Sequence, residues 1–209
     1  MPVITTRKGA AVRQRPSYSC ARRSLILGLS ALLFGRVGAQ PPSAMPISSD
    51  RIALPPARRE FTSPDRGFLL VVETADQWKA LYPTARLFRV GKGQPVLCWT
   101  RVLTQQYGPR GVVVAGDGHV LFVDEWINVT SRWALMLVDV DNRVIATHDY
   151  KMAVGVLGVS PAELAAYARS GPWISDGPAL SADGKSARIA AGGRTLVVSL
   201  QDGSLSVTR

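Results

Sequence analysis

Val112-Val113-Val114-Ala115-Gly116-Asp117-Gly118-His119-Val120-Leu121-Phe122-Val123 joins two short apolar, β-branched runs through a glycine–aspartate turn. Each run has the length and composition of a strand, and the link between them tolerates the backbone angles of a tight turn. Parallel strands need a crossover of roughly a dozen residues or more, so this link commits the two runs to an antiparallel hairpin. The same grammar recurs on both sides. Ser63-Pro64-Asp65-Arg66-Gly67 precedes Phe68-Leu69-Leu70-Val71-Val72, and Ser181-Ala182-Asp183-Gly184-Lys185 precedes Ser186 to Ile189. The three turn aspartates, Asp65, Asp117 and Asp183, lie 52 and 66 residues apart.

Strands are predicted over Phe68 to Glu73, Ala85 to Val90, Val96 to Leu103, Val112 to Ala115, His119 to Ile127, Trp133 to Val140, Arg143 to Tyr150, Ala187 to Ala191, Thr195 to Leu200 and Leu205 to Thr208. Asp141-Asn142, Gly192-Gly193 and Asp202-Gly203 supply hairpin turns between them. One helix is predicted, opened by the capping box Ser160-Pro161-Ala162-Glu163 and stopped by Gly171-Pro172. A shorter helical turn is expected over Thr74 to Leu81. The fold class that follows is mainly β: antiparallel hairpins with one inserted α-helix, arranged as a partial propeller-like body or as a sandwich.

The recurring aspartate turn and following strand resemble those of β-propeller blades that carry a Ser-Pro-Asp-Gly motif. Three units fall short of the roughly 4 to 8 blades of a closed ring. Gly116-Asp117-Gly118, Val123-Asp124-Glu125-Trp126, Leu135-Met136-Leu137-Val138 and the hairpin to Val144-Ile145 together resemble a group of exported bacterial proteins of uncharacterised function with propeller-like strands. The Asp-x-Trp piece at Asp124 and Trp126 is the most specific element of that resemblance. This chain departs from the group at Thr130-Ser131-Arg132, where a glycine-rich loop is usual. The resemblance implies a fold and an export route, and no activity.

The N-terminus has the order of charge, grease and small residues of an export signal: six basic residues through Arg22-Arg23, an apolar run from Leu25 to Phe34, then Val37-Gly38-Ala39. The run is shorter than the roughly 20 apolar residues of a membrane-spanning helix. Ala21-Arg22-Arg23-Ser24-Leu25-Ile26 resembles a twin-arginine signal, with cleavage expected after Ala39. An ordinary secretory signal, an uncleaved anchor and an organelle transit peptide are the alternatives. The organisation expected is a signal over 1–39, a proline-rich and largely disordered tether over 40–60, and a domain over 61–209. The expected location is the periplasm, or else the extracellular space or an N-terminally anchored position.

The formal net charge of +10 invites a nucleic-acid reading, but seven of the 25 basic residues and none of the 15 acidic ones precede Gln40. The remaining 170 residues carry about +3, too little for the concentrated basic footprint that phosphate recognition needs. Nucleic acid and stable membrane insertion after cleavage are therefore not expected as partners. Cys98 is the one cysteine beyond the leader, which excludes an internal disulfide there. Its apolar neighbours suggest a buried, inert thiol.

Candidate chemistry is sparse. Asp124-Glu125 is the most tempting acid–base pair, yet neighbours in a strand face apart, and Asp124 is expected to accept hydrogen bonds from loop amides. His119 and His148 lack metal-ligand spacing, and no nucleophile elbow is present. The turn aspartates Asp117, Asp139, Asp141, Asp183 and Asp202 do not follow a calcium-loop pattern. No catalytic residue, cofactor or metal is expected. Of the five tryptophans, Trp173 sits in a loop after the helix and is expected to be exposed. Asp124, Trp126 and Trp173 are thus the candidate interaction residues. The function expected is non-enzymatic binding of an envelope protein, peptide or glycan, in an unspecified oligomeric state. A periplasmic hydrolase using Asp124 and a basic residue brought in by folding, or a structural subunit completing a sheet with a partner, are the alternatives.

Overall fold

The hairpin grammar builds three sheets. The computed structural model of the chain describes residues 53–208. The leader, with Arg22, Arg23 and Ala39, and the tether up to residue 52 lie outside the described residues. Strands β1 (Arg58–Thr62), β2 (Phe68–Glu73), β3 (Thr84–Arg89) and β4 (Val96–Val102) form the first sheet. The second holds β5 (Pro109–Val114), β6 (Val120–Glu125), β7 (Leu135–Val138) and β8 (Val144–His148). Helices α1 (Tyr150–Leu157) and α2 (Pro161–Tyr167) follow, and β9 (Asp176–Leu180), β10 (Ser186–Ala191), β11 (Arg194–Ser199) and β12 (Leu205–Thr208) complete the third. Each is a four-stranded antiparallel meander in chain order, consistent with a propeller blade.

Alternation along β6 decides the layering. Val120 and Phe122 join a core with Leu70, Leu87 and Trp99 of the first sheet, while Leu121 and Val123 join one with Ile189, Leu196 and Val198 of the third. The second sheet is therefore buried on both faces, and every residue of β6 and β7 is buried. Burying one such aliphatic or aromatic side chain contributes about 1.5–3 kcal/mol. The outward face of the first sheet is polar at one end, where Arg58 pairs with Glu60 and Glu73, and Arg86 also reaches Glu73. That of the third carries Ser186, Arg188, Thr195, Ser199, Ser206 and Thr208. Polar outer faces end such a stack, as capping units do in repeat proteins.

The first strands of successive sheets, β1, β5 and β9, lie beside one another. At Gly111 of β5 a Cβ would stand 2.6 Å from Pro178 Cδ of β9, so glycine is what lets these strands approach. All three aspartate turns link a first strand to its second, and two share one hydrogen-bond scheme. Ser63 Oγ donates to Asp65 Oδ1 at 2.6 Å and accepts from the Phe68 amide at 2.9 Å. Ser181 does the same with Asp183, at 2.6 Å, and the Ser186 amide, at 2.9 Å. The longer spacing before the third turn is the room that α1 and α2 occupy.

Several expectations need correcting. Ordered structure begins before residue 61: β1 starts at Arg58, inside the expected tether, and Trp78 Nε1 donates to Pro55 O at 2.8 Å. β9, with the turn-like sequence Asp176-Gly177-Pro178, is a strand. Among the described residues there are two helices. The Asp149 side chain caps α1 by accepting from the Met152 amide at 2.7 Å, so the strand expected through Tyr150 stops at His148. The capping box of α2 forms as read. Thr74 to Leu81 is not helical, because Gln77 and Trp78 take positive φ (56° and 70°) in a turn held by Thr74 and Asp76. Cys98 is half-buried, at the extra residue where the β3–β4 register shifts. A matching shift occurs at Ile145 of β8. Such bulges blunt an outer strand against edge-to-edge pairing.

Candidate functional site

Asp124, the penultimate residue of β6, has a left-handed backbone (φ 56°), a conformation rare for a residue with a side chain, and its amide donates to Ala134 O at 2.8 Å. The pleat breaks here and the two adjacent carboxylates part. Glu125 accepts from the Gln106 amide at 3.1 Å and from Ser131 Oγ at 2.6 Å. The role of loop-amide acceptor expected of Asp124 thus falls to Glu125. Asp124 is fully buried, and among the described residues neither of its oxygens has a hydrogen-bond partner.

What meets Asp124 is Arg110 of β5, whose Nε stands 3.7 Å from Oδ2. Arg110 Nη2 is turned elsewhere, donating to Trp126 O at 2.5 Å and Asn128 Oδ1 at 2.8 Å. Burial pushes the Asp124 carboxyl up to about 7; the nearby Glu125 amide, Arg110 and the Trp173 indole, none in full hydrogen-bond geometry with it, oppose the rise, and the Glu125 charge adds to it. Arg59 lies with its guanidinium carbon 5.1 Å from the Trp126 ring centre, against 5.9 Å for Arg110. Burial lowers Arg59 to about 10. Arg59 Nη2 donates to Pro109 O at 2.6 Å, and Trp126 Nε1 donates to Ala53 O at 2.6 Å. Folding has therefore gathered the acid and the base that an enzyme reading would require.

The loop after α2 covers them. The Arg169 and Ser170 amides both bond Ile174 O, at 2.9 and 3.0 Å, folding the loop back on itself. A Cβ on Gly171 (φ 66°) would lie 2.6 Å from Arg110 Nε and 2.8 Å from Asp124 Oδ2. Trp173, expected at the surface, is 0% exposed and belongs to the core shared by the second and third sheets. The correction has a physical cause: the turned-back loop drives the largest apolar side chain inward, where its burial offsets the cost of the cramped turn. Asp124 and Trp173 come together as buried neighbours, and Trp126 stays half-buried beside them.

Solvent reaches a different tryptophan. Trp133, half-buried in the β6–β7 loop, stands between two grooves. One, of about 340 Å³, is lined with it by Arg132, Thr147, His148, Asp149 and Met152. The other, of about 350 Å³, has Tyr82, Val102, Leu103 and Thr104. Tyr82 is 48% and Val102 66% exposed, so this is open aromatic and aliphatic surface. The sequence reading weighed all five tryptophans and passed over Trp133; its neighbours Arg132 and Thr130 were the available sign of a surface loop.

The histidines have structural partners. His148 Nε2 meets Gly203 O at 2.8 Å, and His119 Nδ1 is 2.9 Å from Asp117 Oδ2. Among the described residues no three His, Cys, Asp or Glu side chains converge to hold a metal ion. Asp117, Asp139, Asp183 and Asp202 accept backbone amides within their own turns.

No protein-family model and no curated protein matches the chain. Among solved structures it aligns with a europium-containing methanol dehydrogenase over 76% of this chain and 27% of that one, at 9% identity and a TM-score of 0.35. The chain spans about a quarter of that protein's length, and a likeness of that degree says nothing of activity.

Proposed function

We propose that the chain is an exported, non-enzymatic binding domain that retains an envelope protein, peptide or glycan at the surface around Trp133. The observation that carries the reading is a contrast in access: Asp124 and Arg110 lie under Gly171 and Trp173, whereas Trp133 and Tyr82 line open grooves. Aromatic side chains in such grooves offer large contact area at small entropic cost. Export to the periplasm rests on the leader, with its Arg22-Arg23 pair and expected cleavage after Ala39.

The hydrolase alternative gains one observation, the approach of Arg110 to Asp124, and loses by the full burial of Asp124 beneath the α2–β9 loop, with Arg110 half-buried beside it. The sheet-completing alternative is weakened by the bulges in β4 and β8 and by the four-residue length of β12. The test is retention of envelope components on the immobilised chain. Wild type is expected to hold at least one component in a saturable manner and Trp133→Ala to release it. Equal retention by both would remove the reading, and turnover in a hydrolase panel abolished by Asp124→Asn would replace it.

A further inference from the structure

We propose that the surface spanning Trp133 takes a neutral oligosaccharide, stacked on the indole and held through its hydroxyl groups. This inference rests on the binding-domain reading above and names the ligand class of that site. A pyranose ring has an apolar C–H face and a rim of hydroxyls, each both donor and acceptor. Flat aromatic faces receive the first, and a mixture of donors and acceptors receives the second. Both are present here: the Trp133 and Tyr82 rings, the Arg132 guanidinium, the Asp149 carboxylate, and the Thr104 and Thr147 hydroxyls.

The platform is held in place before any ligand arrives. The Trp133 amide donates to Ser131 Oγ at 2.8 Å, and that hydroxyl donates to the buried Glu125 carboxylate at 2.6 Å. Asp149 is fixed by the Met152 amide at 2.7 Å. Glu125, tempting as a catalytic acid in the sequence, therefore acts as a positioning residue for the loop that presents Trp133. Preorganisation of this kind reduces the ordering cost of binding.

Two features select the ligand class. Arg132 and Asp149 bring one charge of each sign to the groove, so no net field favours a phosphate-rich or strongly acidic chain. A strand-forming peptide would need a regular free edge. Of the two edge strands that reach the grooves, β8 is bulged at Ile145 and has its His148 ring engaged with Gly203 O, and β4 is bulged at Cys98, which leaves only Trp99 to Val102 regular.

The test is calorimetric titration of the full chain with soluble hexasaccharides of glucose, of galactose and of N-acetylglucosamine, alongside Trp133→Ala, Trp133→Phe and Arg132→Ala. At least one saccharide is expected to bind saturably. Trp133→Ala should weaken it about ten-fold or more, while Trp133→Phe, which keeps an aromatic face, stays within about three-fold. Matching melting temperatures for wild type and Trp133→Ala separate lost contact from lost fold. Failure of every saccharide, or equal binding by Trp133→Ala, overturns the proposal. If an envelope protein is nonetheless retained, the binding-domain reading survives without it; if nothing is retained, that reading falls too.

Discussion

The two ends of the first strands are built by opposite means. At the turn end, Ser63 with Asp65 and Ser181 with Asp183 satisfy their own turns through bonds that span two to five residues. At the other end, where these strands begin, the contacts join distant segments: Arg59 to Pro109, 50 residues apart, and Trp126 to Ala53, 73 residues apart. There Asp124 and the Arg110 and Arg59 Nε atoms are buried with no hydrogen-bond partner among the described residues. A turn closed by its own neighbours tolerates change, whereas an end assembled from the whole chain does not. The unusual electrostatics sit where the fold is least local, and burial at that assembled end accounts for the perturbed groups there.

The largest effect expected follows from cutting into that assembled end. A chain beginning at Phe61 lacks the first three residues of β1, the Arg59 guanidinium and the carbonyls that receive the Trp78 and Trp126 indoles. It should lose about 5 kcal/mol or more against one beginning at Ala53, read as loss of a cooperative thermal transition. Equal melting of the two chains would show that the strap and first strand are dispensable.

Next in size is a matched pair of glycine substitutions. Gly171→Ala and Gly184→Ala both place a side chain at positive φ (66° and 71°), but only the first drives it into Arg110 and Asp124. Urea denaturation should give about 3–4 kcal/mol for Gly171→Ala and about 1 kcal/mol for Gly184→Ala. Similar values would erase the distinction between the two ends.

The pH dependence comes third. The folded Asp124 carboxyl titrates near 7, above its ordinary value of 3.8, so between those limits the folded state keeps a proton that the unfolded state has lost. Its contribution to stability is full below about 4, falls as pH rises, and is constant again above about 7. Asp124→Asn should remove that slope from the difference between the two stability curves. Parallel curves would contradict burial as the cause. The turn aspartates act in reverse: hydrogen bonds hold Asp65, Asp183 and Asp202 below the ordinary range, so what they add is lost as pH falls. The smallest effect is expected from Asp183→Ala, an exposed position in a self-contained turn: a drop in melting temperature below any of the others.

The same contrast explains what could be read in advance. β2 and β12 end where the apolar runs end, and the capping box of α2 is spelled out by Ser160 and Glu163, because those signals are local. β1 and β9 escaped because neither alternates apolar with polar residues: β1 meets its neighbours through backbone and arginine side chains, β9 through backbone and small residues. Arg58-Arg59-Glu60 and Asp176-Gly177-Pro178 read as tether and turn. α1 escaped because Gly155 and two valines mask its periodicity and its cap is a lone Asp149. The burial of Trp173 depends on a loop folding back at Gly171 onto residues 47 and 61 positions away, and no spacing announces that. Asp124 was legible as unusual but not as sealed.

The most direct test sets the sealed pair against the open groove in one binding assay. Asp124→Asn and Trp133→Ala, each confirmed folded by its melting curve, are compared with wild type for retention of envelope components. The account expects Asp124→Asn to bind as wild type does and Trp133→Ala to lose retention. Loss with Asp124→Asn and full retention with Trp133→Ala would contradict it.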